Sequence, residues 1–346
     1  MSDADPGFAA RSALLFTNLR DLPLDGLEIR LTGTTAALDG PRRTLLGEDV
    51  RVFQGRLSWR LPGEQADASA TVWLTVVGGP GGDRLAGTED GDELDAPAEP
   101  LWWLAPTTQA HRGRATVLAG PGQDAERWAE LAARAADDVH RHLPAPLGRT
   151  WDGRVVVEVP GSESDFTRVL GASPSAYAQT AAVTRPEGPT TDAALRVVVN
   201  PAAGTGTDDE LGLLLAHETV HVATRSAAST APLWAVEGLA EHVALEAHPA
   251  QRADELAGLR GHDPAPLPPD ADFRAGAADV TAAYAQAWLA CRTVADRRDD
   301  AGLGRLYAAL DDGRTLDQAA RSALGVDAAT LTRWARDAER RTGTGG

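Results

Sequence analysis

The residues from 211 to 243 constrain the fold more than any other stretch, because they combine a helical pattern with two histidines one helical turn apart. His217 and His221 are separated by four positions, so a helix places both imidazoles on one face, with Cβ atoms about 5–6 Å apart. Glu218 is rotated about 100° from His217 around the helix axis. Its carboxylate can therefore lie beside an ion bound by the histidines without being a ligand itself.

The flanking sequence predicts two helices, with the histidines on the first. Thr207 to Glu210 has the pattern of a capping box, which indicates a helix start just before the histidines. After a loop of small and polar residues, 234–242 has a second helical pattern. Glu237 lies sixteen positions after His221, far enough for the chain to turn back and present a third ligand. Two nitrogens and one carboxylate leave a fourth position of a zinc ion open, as a catalytic site requires.

At these residues the chain resembles the gluzincin metallopeptidases, in particular the peptidase MA-like group. The signature of that group is H-E-x-x-H on one helix and W-x-x-E-G-x-A on the next, and the sequence here reads HETVH from His217 and WAVEGLA from Trp234. The resemblance implies one zinc ion per chain. The implied ligands are His217, His221 and Glu237.

The same resemblance assigns further roles. Glu218 would be the general base that takes a proton from the zinc-bound water and later passes it to the leaving amine. Glu241, one turn after Glu237, matches the position of a carboxylate that orients the first histidine. Leu239 and His242 depart from the group, which often has aromatic residues at these two positions.

Hydrolysis also needs a group that stabilises the developing oxyanion. Members of the family often use a Tyr or His from a downstream helix. Tyr284, 47 residues after Glu237, is the best placed of the three tyrosines. It also lies on the apolar stripe of a helix predicted over 276–297, where a core aromatic is the alternative. The resemblance further implies that the substrate is added as a strand to a sheet edge near the zinc, for which 179–184 is the candidate.

The first 120 residues have a different pattern. A short helix is predicted over 8–19, and alternating apolar and polar residues after it are typical of half-buried antiparallel strands. The predicted strands are 27–31, 57–61, 72–76, 101–104 and 115–118. A helix followed by a curved antiparallel sheet resembles the nuclear-transport-factor-like fold.

A Gly-Pro-Gly sequence at 120–122 predicts a boundary between two domains. Residues 1–120 would be an α+β accessory domain, and 121–346 a mainly helical, gluzincin-like domain with a small sheet. In the second domain, a clean apolar stripe predicts a helix over 124–143. The β-branched runs at 155–159 and 195–199 predict buried strands. The whole chain is therefore expected to be α+β.

Composition limits the partners. The net charge of −17 and the sequence pI of about 4.8 argue against nucleic acid, whose phosphates would be repelled. No apolar run is long enough to span a membrane, and residues 1–10 lack the basic start of a signal peptide. A cytoplasmic location is expected, with an extracytoplasmic one as the alternative if an N-terminal anchor was removed. Cys291, the single cysteine, excludes an intrachain disulfide.

Two functions from different classes follow. The first is a zinc metallopeptidase that hydrolyses peptide or protein substrates by metal-activated water, with Glu218 as general base. The second is a non-catalytic binding or scaffold protein that retains a structural zinc site. The open fourth position favours the enzyme, because a purely structural zinc is closed by a fourth protein ligand.

Overall fold

The computed structural model describes residues 6–38, 40–91, 98–173, 177, 180–262, 267–274 and 276–343. Over these residues the chain is α+β, with eleven α-helices and two sheets, as the sequence predicts. The helices are α1 Pro6–Asp21, α2 Gly40–Leu46, α3 Leu101–Leu104, α4 Ala125–His142, α5 Glu163–Leu170, α6 Asp208–Thr224, α7 Leu233–Ala247, α8 Arg252–Ala257, α9 Val280–Asp311, α10 Leu316–Leu324 and α11 Ala328–Gly343. The strands are β1 Asp25–Ala36, β2 Val50–Arg60, β3 Ala68–Val77, β4 Arg84–Gly87, β5 Thr108–Arg112, β6 Ala115–Ala119, β7 Val155–Val159, β8 Ala182–Pro186 and β9 Leu195–Val199.

The N-terminal sheet is antiparallel throughout, in the order β1-β2-β3-β4. The prediction of strands around 27–31, 57–61 and 72–76 is confirmed. The prediction of a strand at 101–104 is wrong, because these residues form the short helix α3, whose four side chains are all buried. An uninterrupted apolar run has no period of two, so it does not distinguish a strand from a short buried helix.

The second sheet has the order β5-β6-β7-β9-β8, with β6, β7 and β9 parallel and the two edge strands antiparallel to their neighbours. Alternate residues of its central strands enter two different cores. Val157 lies in the core shared with the helices α4, α6 and α7, whereas Val156 and Val198 lie in the core shared with the N-terminal sheet. Burial on both faces explains why these strands are apolar at nearly every position.

The two sheets are also connected through polar contacts. Arg196 of β9 is fully buried and pairs with Glu64, which lies in the connection between β2 and β3. The second sheet takes β5 and β6 from the sequence before residue 120. The boundary predicted at 120–122 therefore falls between β6 and α4, within the segment that builds one sheet.

Helices α4, α6 and α7, of which α6 carries both histidines, pack on the face of this sheet opposite the N-terminal sheet. The stripe predicted on α4 is buried against α6 and includes Trp128, Leu131 and Val139.

The long helix α9 is interrupted at Asp299, which has a φ of 66° and a ψ of 167°. The Asp299 carboxylate accepts a hydrogen bond of 2.7 Å from the N–H of Gly302, so the helix restarts there with a capped end.

Helices α7 and α9 approach each other closely at Gly238. A Cβ atom at that position would lie 2.4 Å from the carbonyl oxygen of Ala287. Glycine is therefore required by the helix–helix contact one residue after Glu237.

In the part of the chain that the structure describes, no helix is both long and apolar enough to cross a membrane.

Candidate metal centre

Helix α6 begins where its sequence predicts. The Thr207 hydroxyl accepts a hydrogen bond from the N–H of Glu210, and the Glu210 carboxylate accepts one of 2.8 Å from the N–H of Thr207. This capping box satisfies two backbone donors that the first turn of a helix leaves free. From its start the helix runs into the core, so that His217 and His221 are each only 8 % exposed.

Three side-chain atoms converge between α6 and α7. The Nε2 atoms of His217 and His221 are 3.0 Å apart. Oε2 of Glu237 lies 3.2 Å from Nε2 of His217 and 3.4 Å from Nε2 of His221. These residues form a group that could hold a metal ion. The structure thus brings together the three residues that the sequence predicted as ligands.

The spacing of these atoms fits a small tetrahedral cation. Ligand bonds of about 2.0–2.1 Å at tetrahedral angles place the donor atoms about 3.3 Å from one another. The three distances of 3.0, 3.2 and 3.4 Å surround that value. A single ion can therefore be bound by all three side chains without a change in the helix positions.

The outer nitrogen of each imidazole lies close to an oxygen atom of a neighbouring side chain. Nδ1 of His217 is 3.1 Å from Oε1 of Glu241, and Nδ1 of His221 is 2.9 Å from Oγ of Ser226. Contacts of this kind set the tautomer and the ring angle of a ligand histidine. The sequence predicted Glu241 but not Ser226. Ser226 begins a 3₁₀ turn after α6, and nothing in its local pattern distinguishes it from the other hydroxyl residues nearby.

Two of these side chains, His217 and Glu237, have shifted protonation equilibria. Burial opposes the charge on His217, but the carboxylates of Glu241 and Glu237 outweigh it and raise the His217 pKa well above its ordinary value. Burial likewise opposes the charge on Glu237, but His221 and His217 hold its pKa well below the ordinary range. The group therefore attracts positive charge, which a metal cation supplies in place of protons.

Glu218 lies beside the three converging atoms and is not one of them. It is 6 % exposed, and Oε2 of its carboxylate accepts a hydrogen bond of 2.6 Å from the Thr184 hydroxyl. Thr184 belongs to β8, so the strand fixes one oxygen of the carboxylate. The sequence placed Thr184 in a strand but did not indicate this contact, which depends on how the sheet packs against α6.

Tyr284 is part of the site and not of the closed core. Its ring centroid is 6.2 Å from that of His217 and 5.4 Å from that of Phe273, with Phe273 edge-on to it. Burial and the nearby carboxylates, Glu237 first, raise the pKa of the Tyr284 hydroxyl above its ordinary value. The hydroxyl therefore remains a hydrogen-bond donor at neutral pH.

Two clefts open onto these residues. The larger has a volume of about 740 Å³ and is bordered by His217, Glu218 and Tyr284, and the smaller, of about 270 Å³, is bordered by all three of these and by Glu237. The edge strand β8 contributes to both clefts. The strand predicted at 179–184 is observed at Ala182–Pro186, so it starts three residues later and ends two residues later than predicted. Gln179 lies outside the described residues.

Three other polar residues near the motif point elsewhere. Nε2 of His242 is 3.3 Å from Oδ1 of Asp300, away from the converging atoms. Arg225 ends α6 in the left-handed conformation, and its guanidinium donates to the carbonyl oxygens of Thr191 and Ala193. His248 contacts α6 at Gly212. These contacts are typical of structural side chains.

Comparison with known protein families and with curated proteins identifies no relative of this chain. No model of a known protein family matches this chain, and no curated protein matches it either. The resemblance to the gluzincin metallopeptidases therefore stays a prediction that depends on the motif residues.

Proposed function

We propose that this protein is a zinc-dependent hydrolase of peptide bonds that belongs to the gluzincin metallopeptidases. One observation carries the proposal. Three donor atoms lie at the mutual distances of a tetrahedral site, and the unligated Glu218 carboxylate lies beside them on the wall of an open cleft. A structural zinc ion that is closed by four protein ligands uses neither an unligated carboxylate nor access to a cleft.

The donor set supports zinc as the ion. Two imidazoles and one carboxylate are the ligands of known catalytic zinc sites, which keep one position open. The chain offers no thiolate there, since Cys291 lies in the core. Bound at these donors, zinc would lower the pKa of a coordinated water to near 7 and polarise the carbonyl of the substrate.

Each residue around the ion would then have one task. Glu218 would accept the proton of the attacking water and transfer it to the leaving amine, with Thr184 holding its carboxylate in place. Tyr284 would donate a hydrogen bond to the oxyanion, since its hydroxyl is protonated and borders the cleft. Glu241 and Ser226 would orient the two imidazoles.

The substrate is proposed to bind along β8. This strand is an edge of the second sheet and borders both clefts, so its free side is available to an extended peptide. The peptide would pair with backbone groups of the strand and place one carbonyl at the ion. The N-terminal helix and antiparallel sheet support a nuclear-transport-factor-like accessory region as part of the same proposal.

The first test is metal content. Wild-type protein, dialysed after incubation with zinc, is expected to contain one zinc ion per chain by mass spectrometry of the metal. His217→Ala should contain none, whereas His140→Ala, which removes an exposed imidazole on α4, should keep the ion. Wild-type protein without zinc after this treatment would refute the proposal.

The second test separates the enzyme from a structural zinc protein. Glu218→Gln should retain zinc but lose hydrolysis of a peptide library by about 10²–10⁴-fold, because it lacks the proton acceptor. Cleavage products are measured by mass spectrometry. A wild-type protein that binds zinc, melts at a lower temperature after chelation and cleaves no peptide would be the non-catalytic alternative.

A further inference from the structure

The larger cleft has more negative than positive side chains. Its described lining includes four glutamates and one arginine, and the arginine, Arg274, is exposed. Those glutamates are Glu210, Glu218, Glu241 and Glu255. The proposed activity uses Glu218 and Glu241, and Glu210 caps α6. Glu255 has no role in the fold or the mechanism described so far.

The Glu255 carboxylate is partly desolvated, and the charge of His217 offsets only part of the effect. Its Oε1 atom is buried and, among the described residues, has no hydrogen-bond partner. The same holds for Oε2 of Glu241 on the neighbouring wall. A buried carboxylate without a partner is costly in free energy, so a cation that reaches it binds favourably. Burial, followed by the charge of Glu241, raises the Glu255 pKa to about 7.

The wall that carries Glu255 is held against the start of α9. A Cβ atom at Gly258 would be 3.0 Å from the Thr281 side chain, so the end of α8 and the first turn of α9 are in close contact. Thr281 and Val280 border the same cleft as His217. Glu255 thus lies on a supported surface that faces the chamber beside the metal ligands.

A second metal ion is a poor occupant of this position. Glu241 and Glu255 supply two carboxylates, and over the described ranges no third ligand joins them in a metal-binding group. Organic cations need fewer partners, because an ammonium or guanidinium group is stabilised by one or two carboxylates together with apolar walls. Leu213, Leu214 and Phe273 supply such walls in this cleft.

We propose that Glu255 determines specificity by binding an ammonium or guanidinium group of the peptide substrate. The inference rests on the proposed function and names its substrate class: peptides with a positive charge close to the cleaved bond. That charge comes from an arginine or lysine side chain or from a free α-amino group. In both cases the cation occupies the cleft between α8 and α9 while the backbone lies along β8.

Binding to the non-hydrolysing Glu218→Gln protein, loaded with zinc, tests this without reference to cleavage. The probes are fluorescent hexapeptides of neutral residues with one arginine placed at each position in turn, and matched peptides with citrulline in its place. Each pair is made with a free and with an acetylated N-terminus. We expect an arginine peptide to bind about 10–100-fold more tightly than its citrulline partner by fluorescence polarisation.

The second substitution locates the effect. Adding Glu255→Gln should reduce the arginine preference to less than about threefold, whereas Asp254→Asn, an exposed carboxylate on the same helix, should leave it unchanged. If acetylation abolishes tight binding, the recognised cation is the α-amino group, and if it does not, the cation is the side chain. Equal binding of arginine and citrulline peptides with both kinds of N-terminus, or a preference that survives Glu255→Gln, overturns the inference.

The two proposals can fail separately. Selective binding that depends on Glu255, combined with no cleavage by wild-type protein, would refute the peptidase and keep the cation site. Cleavage without any preference for positive charge would refute the cation site and keep the peptidase. Zinc content and melting temperature of both Glu255 and Asp254 variants are measured to show that neither substitution acts through the metal or the fold.

Discussion

Replacing Gly238 by alanine tests how tightly the metal ligands depend on the crossing of α7 and α9. The added Cβ would lie 2.4 Å from the carbonyl oxygen of Ala287, 2.7 Å from its carbonyl carbon and 2.9 Å from Sγ of Cys291. Ordinary contact begins near 3.4 Å. The helices must therefore separate by about 1 Å, since two of the three neighbours are backbone atoms that cannot rotate away.

Overpacking of this size costs about 1–3 kcal/mol, and the upper end applies because the obstacle is main chain. Alanine recovers up to about 1 kcal/mol through its better helix propensity. We therefore expect Gly238→Ala to lower the free energy of unfolding of metal-free protein by about 1–2 kcal/mol. The shift also moves Glu237, one residue earlier, away from the histidines, so zinc affinity should fall by at least about tenfold.

Urea denaturation gives the stability, and competition with a chelator of known affinity gives the zinc dissociation constant. Gly40→Ala is the matched control, because a Cβ there meets no atom within 4 Å and the backbone is not left-handed. It should leave both quantities unchanged within error. A Gly238→Ala protein as stable as wild type, with unchanged zinc affinity, would show that the helix contact does not fix the ligand position.

Three further predictions concern single contacts. Ser226→Ala removes the partner of the His221 outer nitrogen, so zinc affinity measured by chelator competition should fall about 10–100-fold, whereas Ser164→Ala on α5 should not change it. Thr184→Val removes the donor to Glu218, so kcat for peptide cleavage should fall about tenfold with zinc content unchanged, and an unaltered kcat would argue against a role in holding the base. Burial raises the pKa of Glu255 from 4.5 to about 7, so the folded protein binds a proton on this carboxylate more tightly than the unfolded chain does. The stability that the bound proton contributes is therefore lost as pH rises from about 4.5 through 7. Metal-free Glu255→Gln should therefore gain stability relative to wild type, by up to about 3 kcal/mol, between pH 5 and pH 8 in urea titrations, and a constant difference across this range would contradict the shift.

The sequence predicts best the features that depend on neighbours along the chain. The capping box at Thr207 and the one-turn spacing of His217 and His221 are local, and both appear in the structure as predicted. The apolar stripe of α4 follows the same logic, because a helix with one polar and one apolar face has a single way to pack. Glu237 needed the family resemblance, since sixteen intervening residues can fold in many ways.

Contacts between distant segments were not predictable in this way. Thr184 and Glu218 are 34 positions apart, and their hydrogen bond exists only because β8 lies at the sheet edge beside α6. Glu255 carried no motif, and its relation to the cleft depends on how α8 packs against α9. Leu101–Leu104 forms a helix where a strand is predicted, because burial on every side removes the periodicity that distinguishes the two.

The two-sided burial of the second sheet limits how the protein can be divided into fragments. A fragment that starts after Ala119 would lack β5 and β6 and leave the β7 edge, with its unpaired backbone donors and acceptors, open to pairing with other chains. Starting before Thr108 would preserve all five strands, but the face with Leu118, Val156 and Val198 would be exposed to water. The N-terminal sheet and the helices thus bury opposite faces of the same five strands, so a fragment without either layer would expose apolar surface.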